Sequence, residues 1–156
     1  MNFFEGSHDG RGLKIGIVTA RFNFEVTEKL EQGALAALNE MGCKDVYQVR
    51  VAGAFEIPLA AKALIDSGCD GVVALGAVIR GETSHYDYVC SSVERGCTLL
   101  QVTTGKPVAF GVLTTENEEQ AMDRVGGRHG HKGIEAARVA VEMVRLLKQV
   151  HEIGIR

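Results

Sequence analysis

The stretch Val72-Val73-Ala74-Leu75-Gly76-Ala77-Val78-Ile79-Arg80-Gly81-Glu82-Thr83-Ser84-His85 carries the reading of the fold. Its first half, from Val72 to Ile79, is apolar throughout and holds no charge. A run of that length and uniformity suits a strand covered on both faces, as at the centre of a parallel sheet. Beyond it, Val89, Val93, Cys97 and Leu100 recur at helical spacing. They predict a helix that Thr83 or Ser84 can cap and that runs to about Thr104.

The same alternation extends outward in both directions. Leu13–Thr19 and Val46–Val51 read as strands, and Pro107–Thr114 as a fourth. Phe24–Met41 has Val26, Leu30, Ala34, Ala37, Leu38 and Met41 at helical spacing, with Gly42 to stop it. Ile57–Ser67 reads as a helix with Pro58 in its first turn and Gly68 after its end, and Asn117–Val125 as a short one. Gly133–His151 is longer, with Ala137, Val141, Val144 and Lys148 on one stripe. Between these last two lies Gly126-Gly127-Arg128-His129-Gly130-His131-Lys132-Gly133, rich in glycine and positive charge. Strands alternating with helices imply helices on both faces of a parallel sheet. The expected fold class is α/β, a three-layer sandwich with a four-stranded parallel sheet, of flavodoxin-like type.

Composition narrows the function. At 156 residues and 46% apolar, the chain suits one domain that folds without metals or cross-links. A formal net charge of −3 offers no broad field for nucleic acid or an acidic bilayer, and no apolar run reaches the ~18 to 20 residues of a membrane helix. The N-terminus has neither a basic region nor an apolar one and does not read as a signal peptide. Cys43, Cys69, Cys90 and Cys97 form no Cys-x-x-Cys pair, which fits free core thiols and a cytoplasmic setting. Nineteen glycines point to tight turns and close backbone approaches, with Gly53, Gly76 and Gly81 expected at strand ends.

Ligands of parallel α/β sheets sit beyond the carboxyl ends of the strands. That rule selects Thr19–Asn23, Ala52–Glu56, Arg80–His85 and Thr114–Asn117. Gly76–Thr83 has P-loop spacing, but Glu82 stands where the lysine belongs, which excludes nucleoside triphosphate binding. The backbone N–H groups of a strand–glycine–helix junction can still hold an anion, or the segment is a plain capped turn. His85, in the first helical turn, is either a surface histidine or an imidazole poised for proton transfer by a nearby anion and the helix dipole. Phe22 is a stacking shelf for a flat heterocycle or a plug under a helix. Glu56 favours a helix dipole or accepts hydrogen bonds from a polyhydroxylated ligand, and Arg124 is a dipole partner or a phosphate clamp. Phe110, inside a strand, reads as core. His129 and His131 are an i,i+2 pair without a carboxylate or cysteine cluster, so no metal site is expected.

Taken together, the junctions resemble the 6,7-dimethyl-8-ribityllumazine synthase family, from about Leu13 to Lys148. The resemblance rests on Ala20-Arg21-Phe22-Asn23, Gly53-Ala54-Phe55-Glu56-Ile57-Pro58, Leu75–His85 and Pro107–Asn117, in order and with matching gaps. It implies one domain over residues 1–156, with an N-terminal arm at 1–12 and an α/β core at 13–150. It implies condensation of 5-amino-6-(D-ribitylamino)uracil with 3,4-dihydroxy-2-butanone 4-phosphate, without cofactor or metal. By position, Phe22 would stack on the pyrimidine, and Ala54, Phe55, Glu56, Ala77, Val78 and Ile79 would hold its ring and ribityl chain. Phe110 would cover the ring from a neighbouring subunit, and Lys132 would lie near the ribityl end. Glu82 and Thr83 would bind the phosphate, with Arg124 reaching it across the interface, and His85 would be the general acid and base.

The resemblance further implies a homopentamer with active sites between subunits. Members that close twelve pentamers into a 60-subunit icosahedral shell carry a short Gly-x-Lys-x-Gly loop. Gly126-Gly127-Arg128-His129-Gly130 keeps its length with Arg128 in the lysine position, so a shell is expected, with an enclosed riboflavin synthase as a further partner. Two rival functions fit parts of this pattern: a flavodoxin-like flavin carrier, which leaves His85 and Arg124 idle, and a shell protein without activity.

Overall fold

A computed structural model describes residues 1–154. Four strands form one all-parallel sheet in the order β2-β1-β3-β4: β1 (Lys14–Ala20), β2 (Asp45–Val51), β3 (Gly71–Ile79) and β4 (Val108–Thr115). Helices α1 (Phe24–Glu40) and α5 (Lys132–His151) cover one face, and α2 (Ile57–Asp66) and α3 (His85–Thr104) the other. The α/β class with a four-stranded parallel sheet agrees with the expectation.

The uniform apolarity of β3 follows from its place between β1 and β4. Val73, Leu75 and Ala77 join the core under α1 and α5, while Val72, Ala74 and Val78 join the one under α2 and α3. A strand sandwiched in this way has no polar face to show. The edge strand β2 is only half-buried.

Several details differ from expectation. Gly76 lies within β3, not at its end, and a Cβ there would sit 3.2 Å from Ile57 Cδ1. It is a packing glycine. Ser84 occupies the N-cap position of α3 without a side-chain bond, and it is Thr83 Oγ1 that accepts from the His85 N–H at 3.3 Å. The short helix is only α4 (Glu118–Met122), because Val125 enters a strand. The glycine-rich segment forms a hairpin of β5 (Val125–Gly127) and β6 (Gly130–His131), with Gly126 at φ 107° and Gly130 at φ 77°. Lys148, expected on the apolar stripe of α5, is exposed.

This hairpin is anchored by its last residue. His131 Nδ1 accepts the Ile134 N–H at 3.2 Å and caps α5, and its ring lies where a side chain at Gly33 of α1 would be. Residues 5–11 pass along α5, where Arg145 donates to the carbonyls of Asp9 at 2.7 Å and Arg11 at 2.6 Å and Gln149 to that of Glu5 at 3.1 Å. All four cysteines are free thiols.

Candidate active site

The carboxyl ends of β1, β2 and β3 form one rim. Arg21 and Phe22 donate their N–H groups to the carbonyls of Val51 and Ala52, at 2.8 and 3.0 Å, so the chain leaving β1 leans toward β2. Pairing of β1 with β3 stops at Thr19 and Leu75. The β1-facing side of β3 is therefore open beyond that pair, and the Asn23 side chain closes part of it by donating to the Ala77 carbonyl at 2.8 Å. Arg80 donates its N–H to Thr115 of β4 at 2.9 Å, so by strand alternation the backbone groups of Ile79 face the opposite, open side.

Phe22 is 71% exposed on this rim, so it is not a plug under a helix. Ala54, Ala77 and Val78 turn their side chains inward, so what they can offer a ligand is backbone. Ala54–Glu56 forms a single 3-10 turn, and Glu56 Oε1 accepts from the Gly53 N–H at 2.9 Å. That bond fixes the carboxylate and leaves its other oxygen unengaged at the rim. Phe55 is exposed but lines a groove against α3 with Tyr88, Arg95 and Leu99. Glu82, Thr83 and His85 are all exposed at the start of α3.

A second group lies along β4. A cavity of about 250 Å³ is lined by Val112, Leu113, Thr114, Thr115, Arg124, His129, Lys132 and Glu135. The two ends of the hairpin bring its cations together, since Lys132 donates its N–H to the Arg124 carbonyl at 2.8 Å. Arg124 also donates through Nη1 to the Gln120 carbonyl at 2.8 Å at the end of α4. Arg128 does not line this cavity, although the charge pattern groups it with Arg124 and Lys132. Phe110 is half-buried in the middle of β4 and pairs with Ala74. The last pair of that ladder, Ile79 with Thr115, lies five residues on, about 16 Å along the strand.

Thus the fold collects Phe22, Ala54, Glu56, Ala77, Val78, Ile79, Glu82, Thr83 and His85 on one rim. It sets Phe110, Arg124 and Lys132 along the edge strand. Asn23 and Glu135 were not singled out from the sequence, and His129 was weighed only as a metal ligand. Asn23 stood beside Phe22 in a quoted junction, and its left-handed backbone at φ 62° has no sequence signature.

A sequence profile of 6,7-dimethyl-8-ribityllumazine synthases matches residues 12–148. The curated 6,7-dimethyl-8-ribityllumazine synthase of Bdellovibrio bacteriovorus is 56% identical over 138 residues, covering 88% of this chain and 77% of that protein. The chain belongs to the 6,7-dimethyl-8-ribityllumazine synthase family. It is a transferase of riboflavin biosynthesis. It condenses 5-amino-6-(D-ribitylamino)uracil with 3,4-dihydroxy-2-butanone 4-phosphate to give 6,7-dimethyl-8-ribityllumazine, with release of phosphate and water. The carrier and inactive-shell readings fall with that assignment. Among the described residues, no helix is long and apolar enough to cross a membrane, and no three or more His, Cys, Asp or Glu side chains cluster to hold a metal.

Proposed function

We propose that the enzyme acts as a homopentamer, each active site joining the rim of one copy to the β4 edge of the next. The position of Phe110 is the observation that supports this most directly. Its ring sits on an edge strand, well short of the rim of its own chain, and cannot reach Phe22 without β4 leaving β3. An edge strand is open to another copy, so the same ring can cover a neighbour's rim.

In this reading Phe22 stacks on the pyrimidine, and Glu56 with the backbone of Ala54 and Ala77–Ile79 holds its polar groups and ribityl chain. Phe55 borders the same turn. Phe110 and Lys132 of the adjoining copy close the pyrimidine side. The N–H groups at Glu82 and Thr83 bind the phosphate from one copy, and Arg124 binds it from the other. The 5-amine of the pyrimidine adds to the ketone and water leaves. Phosphate is then eliminated, and the ribitylamino nitrogen closes the ring on the second carbonyl with loss of a second water, His85 passing the protons. Holding two substrates in register avoids an entropic cost of several kcal/mol, up to ~7 to 11 in favourable cases, so positioning carries most of the acceleration.

The compact β5–β6 hairpin at Gly126–Gly130 supports closure of pentamers into an icosahedral shell, able to enclose riboflavin synthase. The arm at 1–12, the core at 13–150 and a cytoplasmic setting complete the proposal. Mixing the impaired His85→Ala and Arg124→Ala subunits at low butanone phosphate tests the shared site. Sites shared between copies regain activity at about one site in four after random reassembly. No regain in reassembled mixtures overturns it. Sedimentation that finds only pentamers overturns the shell.

A further inference from the structure

Arg80 has no role in the reading above, yet it joins three segments around the phosphate loop. Its backbone N–H ends the β3–β4 ladder at Thr115. Its Nε donates to Glu116 Oε2 at 2.8 Å, in the junction after β4. Its Nη2 lies 3.5 Å from Asp87 Oδ1, in the first turn of α3, and the guanidinium stacks 4.3 Å from the Tyr86 ring centroid. The segment it spans, Gly81–Ser84, is exposed and belongs to no helix or strand, and a side chain at Gly81 would meet nothing within 4 Å. Within the segment itself, the His85 N–H donates to Thr83 Oγ1 at 3.3 Å.

We infer that Arg80 is a positioning residue that staples the start of α3 to the end of β3 and holds the phosphate-binding N–H groups in place. The inference rests on the proposed phosphate site at Glu82 and Thr83. A planar guanidinium with several donors can serve Glu116, Asp87 and a ring face at once, which an ammonium cannot. Exposed ion pairs add little to stability, so the effect of this staple falls on geometry. Arg80 also offsets two carboxylates that would otherwise repel a phosphate dianion next to them.

The test is steady-state kinetics of Arg80→Ala and Arg80→Lys, with inorganic phosphate as a competing probe. Arg80→Ala is expected to raise the KM for the butanone phosphate and the inhibition constant of phosphate about tenfold, with the KM for the pyrimidine unchanged. Arg80→Lys restores the charge and recovers only part of the loss. Full recovery by lysine overturns the staple in favour of charge alone. An unchanged KM in Arg80→Ala, while Arg124→Ala raises it, overturns the role of Arg80 and leaves the phosphate site standing. Unchanged values in both variants overturn both. If Arg80→Ala fails to assemble, Asp87→Asn cuts only the arm to α3. A raised KM for the phosphate substrate then supports the staple, and an unchanged or lowered one overturns it.

Discussion

The Asn23 side-chain amide donates to the Ala77 carbonyl at 2.8 Å, across 54 residues of sequence, and so takes the place of a strand partner that β1 no longer provides. Asn23 does this from a left-handed backbone at φ 62°, a conformation that asparagine tolerates better than most side chains. The bond fixes Phe22, one residue earlier, relative to the end of β3.

Asn23→Gly keeps the backbone and loses the hydrogen bond, whereas Asn23→Ala loses both. Denaturant unfolding should show the glycine variant less stable by about 1 kcal/mol and the alanine variant by about 2. Both should raise the KM for the pyrimidine.

Phe22 is already exposed, so Phe22→Ala should leave unfolding within about 0.5 kcal/mol of the parent. Loss of stacking should weaken pyrimidine binding about tenfold, which calorimetric titration measures directly.

His85→Ala should slow turnover by about 10²–10⁴-fold, the usual contribution of a positioned acid–base group. Substrate binding should survive in that variant. Complete loss of activity in an assembled variant would contradict the dominance of positioning.

Glu31 is buried on α1 and takes two hydrogen bonds from Arg50 of β2, at 2.7 and 3.2 Å. Burial pushes its carboxyl up, but Arg50 hydrogen bonding and charge, together with the polar side chains of Thr19 and Gln48, hold it below the ordinary 4.5. A lowered native pKa stabilises the fold above the unfolded-state value, and that stabilisation is lost as pH falls through the native one. Arg50→Ala should therefore lower Tm at pH 7, where it leaves a buried carboxylate unpaired. The gap between variant and parent should close as pH falls through the lowered native pKa of Glu31.

Gly33→Ala sets a methyl group against the His131 ring, which caps α5 and ends the hairpin that carries Arg124 and Lys132. The overpacking should cost about 1–3 kcal/mol. Any displacement of the hairpin should also raise the KM for the butanone phosphate. His131→Ala in the same background should recover part of the stability, as a double-mutant cycle would show.

Much of this architecture is legible in the chain. The apolar run at Val72–Ile79, the helical stripes and the strand-end rule together place Phe22, Glu56, Thr83 and His85 on one rim. Periodicity and burial are local properties, and each strand advertises its neighbours by how many faces it must cover. The hairpin at Val125–His131 was less visible, because two short strands leave no periodic signal and the glycines that bend them also fit an irregular loop.

The sequence by itself determined the α/β order, the parallel sheet, the strand-end rim proposed to carry the chemistry and the family to which the chain belongs. The tertiary structure decided which side chains meet across that frame: Asn23 with Ala77, Arg80 with Glu116 and Asp87, Glu31 with Arg50, His131 with Gly33. It also decided that Phe110 lies on an edge strand away from its own rim. These pairings depend on strand register and on the distance between helix faces, which no local pattern encodes. Only the packed sheet brings residues so far apart in sequence within hydrogen-bonding reach.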